Sequence, residues 1–132
     1  MQINIGLKPL TKPTTFRYGV YDIEARDWWD LQVIGCFDGT DYYQFRNVTD
    51  FLNHIMRWQY RHWRWFAHFG GRYDLNFIYD YLATNDTNAK VSFYCSGSMV
   101  MAMDIRKGDC HARLCDSFRL LPASLRDLTI AF

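Results

Sequence analysis

The sequence lacks any hydrophobic run of the length that a membrane-spanning helix needs, which is about 20 residues. Its first residues also lack the basic region followed by an apolar segment that is typical of a secretory signal. We therefore expect no contact with a membrane and no secretion. The expected location is the cytoplasm of a cell.

Cysteine is sparse and poorly spaced for metal binding. The four cysteines are Cys36, Cys95, Cys110 and Cys115; they form no C-x-x-C pair, and the last two alone lie close together, beside His111. Zinc sites built on thiolates usually need such pairs, so we expect none here. Free thiols in a reducing compartment are the simpler expectation.

The chain has no large excess of charge of either sign. With 15 Lys and Arg against 14 Asp and Glu, the formal net charge is +1, which does not by itself predict nucleic-acid binding. Acidic residues are absent from residues 51–73, however, where Arg57, Arg61, Arg64, Arg72 and three histidines fall. This local positive region is compatible with phosphate binding and equally with a solvated helix surface.

What the sequence has in quantity is hydrophobic and aromatic side chains. Hydrophobic residues make up 49% of the 132 positions, among them 10 Phe, 9 Tyr and 5 Trp. A chain of this length and composition can bury a substantial core. Since no internal repeat, linker or low-complexity segment interrupts it, we expect residues 1–132 to form a single domain.

Strand and helix patterns alternate along the chain. Strands are predicted over residues 16–23, 31–37, 42–45, 63–68, 91–94, 99–105 and 111–115. Helices are predicted to begin at Asn47 or Thr49, near Asp74 and after Pro122, the first of them running as far as residue 58 or 59. This order favours an α/β fold with one mixed sheet and helices packed on it.

Two acids, Asp22 and Glu24, end the first predicted strand in the stretch YDIEA. Residues i and i+2 of a strand point to the same face, so the two carboxylates are expected to lie side by side and repel each other. Either nearby arginines or hard cations would offset that repulsion. The alternative is a solvent-facing strand end that leads into a turn, and a D-x-E pair alone does not decide between them.

A second pattern, AHFGGRYDLNFI, covers residues 67–78. Two glycines between a strand and a helix allow a close backbone approach. Asp74 lies where the helix begins, and there Asp is also a favoured N-cap with no catalytic role. The combination with the D-x-E pair, about 50 residues earlier in the chain, is what favours a functional site.

Three stretches together resemble one protein family. YDIEA is similar to the first exonuclease motif of the 3′→5′ proofreading domain in family-B DNA polymerases, and AHFGGRYD is similar to the second. CDSFRLLPASLRDLTIAF, residues 115–132, is similar to the D-S-x-x-x-L-P-x-S-L segment of the protein-primed branch, found in phages, adenovirus-like viruses and linear plasmids. The resemblance covers roughly residues 16–132. It implies a ribonuclease-H-like mixed sheet flanked by helices, with extra β-hairpin strands, in a viral or plasmid protein inside a host cell.

The chemistry that the resemblance implies is hydrolysis of the 3′-terminal phosphodiester of single-stranded DNA, with release of a nucleoside monophosphate. Two divalent ions about 3.5–4 Å apart carry out such reactions, and a site made of oxygen ligands favours Mg²⁺ or Mn²⁺. By resemblance, Asp22 touches both ions, Glu24 binds the ion associated with the nucleophile, and Asp74 completes the shell of the other. The implied partners are a single-stranded DNA 3′ end and the remainder of a DNA polymerase.

The resemblance also implies DNA contacts. Tyr73 matches an aromatic residue that packs against the terminal nucleotide, and Ser117 with Phe118 matches a pair that contacts the single strand. Stacking on such rings contributes about 1–3 kcal/mol per base and tolerates any sequence. Core packing is the alternative for Tyr73 and Phe118. Trp63 and Trp65 alternate as in a buried strand, so we expect them to pack in the core.

The sequence departs from the family pattern at three places. Phe69 replaces the Asn that most relatives have after the His of the second motif, and Ala25 replaces a Thr that often follows the Glu of the first. The third motif, a Tyr followed four residues later by a metal-binding Asp, does not occur before Phe132, and Asp127 is the last acid. We therefore expect activity that is weak or lost without that Asp.

The resulting expectation is a metal-dependent 3′→5′ exonuclease, either the proofreading part of a protein-primed DNA polymerase or a short relative of it. Polymerase activity is not expected, because the resemblance includes none of the polymerase motifs. The alternative is a non-catalytic nucleic-acid-binding or protein-interaction module that retains the ribonuclease-H-like fold.

Overall fold

The computed structural model describes residues 17–27, 29–68, 74–86, 88–120 and 123–131. Its strands are β1 (Tyr18–Arg26), β2 (Asp30–Phe37), β3 (Tyr42–Phe45), β4 (Arg64–Ala67), β5 (Lys90–Ser96), β6 (Met99–Lys107) and β7 (Cys110–Asp116). Its α-helices are α1 (Val48–Ile55), α2 (Asp74–Asn85) and α3 (Leu125–Ala131). Two short 3₁₀ turns cover Trp58–Tyr60 and Ser117–Arg119.

The strands form one mixed sheet of seven strands in the order β3-β2-β1-β4-β7-β6-β5. Neighbours are antiparallel in the β1, β2, β3 half and in the β5, β6, β7 half. At the centre, β4 runs parallel to both β1 and β7. The predicted α/β class with a mixed sheet is confirmed, and the carboxyl ends of β1, β4 and β7 point toward the same edge.

One face of the sheet carries the core. Because successive strand residues point to opposite faces, Gly19 and Tyr21 of β1 are buried whereas Tyr18 and Val20 are exposed. Side chains of α1 and α2 join the same core as Ile34, Trp65 and the other buried strand residues. Helix α3 contributes no buried residue. No helix within the described segments is long and apolar enough to cross a membrane.

Helix α1 begins where its cap predicts but ends early. The Asn47 side chain accepts a hydrogen bond from the Asp50 amide at 2.8 Å, which confirms the first of the two predicted caps. The helix ends at Ile55, so the predicted continuation to residue 58 or 59 is wrong. Arg57 adopts an extended conformation, and the 3₁₀ turn that follows brings Tyr60 into the core instead.

The centre of the core is aromatic and closely packed against the β1 backbone. Trp65 is fully buried, and its ring stacks with that of Trp63 at a centroid distance of 5.6 Å. These two residues pack in the core as predicted. Opposite Trp65 lies Gly19, where an added Cβ would come within 2.2 Å of the Trp65 ring. Glycine at this position is therefore what allows Trp65 to lie directly against β1.

Candidate functional site

The two acids of β1 lie where that strand extends beyond its parallel neighbour. Strand β4 pairs with β1 only from Tyr18 to Val20, so the rest of β1 has no strand partner on that side. Asp22 and Glu24 fall in this extension, and both are exposed on the face that also carries Val20. The sheet therefore presents them together at one end of the parallel strands, where open α/β sheets usually bind ligands.

The carboxyl groups of Asp22 and Glu24 act directly on each other. A hydrogen bond with Asp22 raises the pKa of Glu24, and the negative charge of Asp22 raises it further. A hydrogen bond between two carboxyl groups requires a proton on one of them, so the pair resists full ionisation. This is the repulsion that the D-x-E spacing predicts.

Asp74 reaches the same place from α2. It is the first residue of that helix, its carboxylate is hydrogen-bonded by the backbone amide of Ile23, and it is 9% exposed. Burial raises the pKa of Asp74 to about 7, and the charge of Asp22 is the second cause. Asp116 and Glu24 add smaller repulsive effects in the same direction, while the Ile23 amide opposes them.

The sequence interpretation missed Asp116. This residue ends β7 and is buried, and its carboxylate accepts a hydrogen bond from the Phe118 amide at 2.9 Å. Its charge contributes to the raised pKa of both Asp74 and Tyr21. The available signal was its place after a buried strand, since the carboxyl ends of parallel strands meet at one edge of a sheet.

A buried tyrosine lies beneath these acids. The Tyr21 hydroxyl is inaccessible to solvent and has no hydrogen-bond partner among the described residues. Burial raises the pKa of Tyr21 well above its usual value, and the charges of Asp74, Cys115, Asp116 and Asp22 raise it further. The group is therefore a neutral hydroxyl next to the acid cluster, able to donate a hydrogen bond.

The acids line a cavity of about 720 Å³. Its polar lining consists of Asp22, Glu24, Asp27, His68, Asp74, Asn76 and Asp80, and no Lys or Arg belongs to the described part of that lining. Such a cavity attracts cations, because its described wall holds several carboxyl groups and no Lys or Arg. In their present side-chain positions, the described residues contain no group of three or more His, Cys, Asp or Glu that could hold a metal ion.

A second depression, of about 660 Å³, adjoins the acid cavity and shares Asp22 and His68 with it. We call it the apolar groove, and its remaining lining is Tyr18, Val20, Tyr21, Phe66, Ser117, Leu120, Leu125 and Leu128. It follows the exposed face of β1 from the acids back toward the start of the strand. Ser117, predicted to contact DNA, therefore lies in the wall of this groove.

His68 holds the wall of the groove together. Its Nε2 lies 2.6 Å from the Ala123 carbonyl oxygen and its Nδ1 lies 3.0 Å from the Ser117 hydroxyl. A carbonyl can only accept, so Nε2 carries a proton, and the Ser117 hydroxyl that pairs with Nδ1 also donates to the Ala67 carbonyl oxygen at 3.5 Å. Phe118 packs edge-on against the His68 ring at 5.9 Å and is absent from the described groove lining.

Tyr73, predicted to pack against the terminal nucleotide, lies outside the described residues. Within the described part of the acid-free region, His54 is buried among aromatic rings whereas Arg57 and Arg61 are exposed. Helix α1 buries one side of that segment, and the turn that follows exposes the other.

In a comparison with known proteins, no protein-family model, curated protein or solved structure matches the chain. Function is therefore inferred from the residues of the site themselves.

Proposed function

We propose that the chain is a divalent-metal-dependent 3′→5′ exonuclease acting on single-stranded DNA ends, and that it is the proofreading part of a protein-primed DNA polymerase or a short relative of it. The observation that carries the proposal is the joint placement of Asp22, Glu24 and Asp74 in one cavity without Lys or Arg in its described lining. These are the acids that the two exonuclease-like motifs supply, from positions about 50 residues apart.

We also propose a ribonuclease-H-like fold for this sheet. An antiparallel unit, β1 to β3, is followed by the parallel strands β4 and β7, with helices contributing to the core. The hairpin of β5 and β6 extends the edge of the sheet. This arrangement supports the mixed sheet with extra hairpin strands that the resemblance implies.

The residues of the cavity fit a pair of hard cations. Asp22, Glu24 and Asp74 offer only oxygen, which suits Mg²⁺ or Mn²⁺ rather than a soft metal. Their mutual repulsion, visible in the raised pKa of Glu24 and Asp74, would be relieved by bound cations. In this proposal the three acids hold two such ions, which when bound supply an activated water and stabilise the leaving oxygen.

The protein itself binds and orients the DNA strand. The rings of Tyr18 and Phe66 in the apolar groove offer surfaces on which bases stack without sequence preference. The Ser117 side chain, oriented by His68, supplies a polar contact in the wall of the same groove. The 3′ end of the DNA strand lies at Asp22, a residue that lines both the acid cavity and the apolar groove.

The test is degradation of a 5′-labelled single-stranded oligonucleotide in Mn²⁺. We expect a ladder of products shortened from the 3′ end, with release of nucleoside monophosphates. The ladder should disappear in Asp22→Asn/Glu24→Gln and in Asp74→Asn. Asp109→Asn, which removes an exposed acid in the turn between β6 and β7, should leave it unchanged. A ladder that persists in the double variant would contradict the assignment of these acids.

One observation favours the second candidate, a non-catalytic nucleic-acid-binding module. No group of three or more metal-ligating side chains stands ready in the described part of the cavity. This candidate predicts that DNA is not cleaved in the presence of any metal ion. It also predicts that DNA is bound with an affinity that falls steeply as the salt concentration rises. The same oligonucleotide, titrated at several salt concentrations, distinguishes it from the exonuclease.

A further inference from the structure

A third cavity lies at the other end of the parallel strands. It has a volume of about 610 Å³, which is within the range of ordinary ligand sites, and its lining includes Arg17, Tyr18, Gln59, Tyr60 and Trp63. Arg17 immediately precedes β1, and Trp63 immediately precedes β4. The cavity therefore opens at the amino ends of these strands, whereas the acid cavity lies toward their carboxyl ends.

A cationic aromatic surface adjoins this cavity. Trp58 belongs to the same 3₁₀ turn as Gln59 and Tyr60, yet its side chain is 75% exposed. The Arg61 guanidinium lies 4.2 Å from the centre of the Trp58 ring. An exposed tryptophan with a stacked arginine presents both a flat apolar surface and a positive charge.

The acid in the wall of the third cavity is already engaged. The Asp38 carboxylate accepts hydrogen bonds from the amides of Thr40 and Asp41 at 2.9 Å and 2.8 Å. The Tyr60 hydroxyl donates a further one at 2.8 Å. These bonds stabilise the ionised carboxylate and fix the turn between β2 and β3. Arg17 lines the same cavity, and Arg57 and Arg61 flank the 3₁₀ turn that contributes Gln59 and Tyr60 to it.

The three depressions follow one another along β1. Tyr18 lines both the third cavity and the apolar groove, and Asp22 with His68 lines both the groove and the acid cavity. From Arg17 to Asp22 the extended chain spans about 16 Å, at about 3.3 Å per residue. At the 3.4 Å spacing of stacked nucleotides, this span corresponds to about five nucleotides.

We propose that Arg17, Trp58 and Arg61 form a second binding site, for the upstream part of a DNA single strand whose end reaches the acid cavity. Guanidinium groups suit phosphate oxygens, and the Trp58 ring suits an unpaired base. A duplex fits the surface poorly, because its bases are not available for stacking. The position of the strand end rests on the proposed function, whereas binding at Trp58 and Arg61 does not.

The experiment is fluorescence anisotropy of labelled oligo(dT) strands of 3 to 12 nucleotides, in EDTA so that no cleavage occurs. In the wild type, affinity should rise with length up to about five nucleotides and more slowly beyond. Trp58→Ala and Arg61→Glu should each lower affinity for the longest strand at least about fivefold while changing that for the shortest less than about twofold. Thermal unfolding confirms that the variants are folded.

Arg106→Glu is the matched control, since Arg106 is an exposed arginine on β6 and the change in charge is the same. Equal weakening by Arg61→Glu and Arg106→Glu would show a general charge effect and overturn the inference. So would an unchanged length dependence in Trp58→Ala, or an equal loss of affinity for duplex DNA. If cleavage is never observed but the length dependence still requires Trp58 and Arg61, the exonuclease proposal fails and this inference stands.

Discussion

The backbone amide of Ile23 donates a hydrogen bond to the carboxylate of Asp74. Because Ile23 lies between Asp22 and Glu24, this single contact holds the first residue of α2 beside both acids of β1. The hydrogen bond forms beyond Val20, which is the last residue of β1 that pairs with β4. The end of one short strand thus determines where the acids of two distant sequence segments meet.

Replacing Asp74 should stabilise the metal-free protein at neutral pH. Folding raises the pKa of Asp74 from 3.8 to about 7, so the stability associated with this group is present at low pH and is lost as the pH rises between these values. Each pKa unit corresponds to about 1.4 kcal/mol, which gives a gain of up to about 4 kcal/mol for Asp74→Asn at pH 8. Urea unfolding in EDTA at pH 5 and pH 8 measures it.

Asp109→Asn serves again as the control for a simple change of charge. It should shift the free energy of unfolding by no more than about 0.5 kcal/mol at either pH. If Asp74→Asn lowered the free energy of unfolding equally at both pH values, burial of the Asp74 charge would not be a source of destabilisation.

His54 should make the protein acid-sensitive. Its ring is 4% exposed and lies 4.2 Å from the ring of Tyr43, and burial lowers its pKa below the ordinary value of 6.5, with the Arg57 charge acting in the same direction. A histidine whose pKa is lowered on folding supports stability above pH 6.5 and loses that contribution as the pH falls further. His54→Leu should therefore flatten the pH dependence of the unfolding free energy below pH 6.5. Identical slopes for the two proteins would contradict this reading of His54.

The contact between Gly19 and Trp65 should tolerate no added methyl group. In Gly19→Ala the new Cβ would meet the Trp65 ring at 2.2 Å and the Phe37 carbonyl oxygen at 2.9 Å, and the fully buried tryptophan has little room to move. We expect a loss of about 1–3 kcal/mol in the free energy of unfolding. In a double-mutant cycle with Trp65→Leu, the losses in unfolding free energy of the two single variants should add up to more than the loss of the double variant. Full additivity would place the origin of the loss elsewhere.

Local patterns in the sequence were sufficient to predict much of the frame. The alternation around Asp22 and Glu24 placed both on one strand face, and the cap at Asn47 marked the start of α1. Both depend on interactions between residues a few positions apart. The start of α2 at Asp74 was predictable for the same reason.

Features that depend on tertiary packing were not predictable in this way. Asp116 joins the acid cluster through the pairing of β7 with β4, a parallel register between segments about 50 residues apart. The end of α1 at Ile55 follows from the burial of Tyr60, and the resulting turn leaves Trp58 exposed. Hydrophobic periodicity alone could not distinguish that turn from another helical turn.

Binding of Mn²⁺, followed by the electron paramagnetic resonance signal of the free ion, tests the central claim most directly. We expect the wild type to remove about two Mn²⁺ ions per chain from solution. Asp22→Asn/Glu24→Gln should abolish this uptake, Asp74→Asn should weaken it, and Asp109→Asn should leave it unchanged. Uptake in the double variant equal to that of the wild type, or no uptake by the wild type at millimolar Mn²⁺, would contradict the claim that these acids form a cation site.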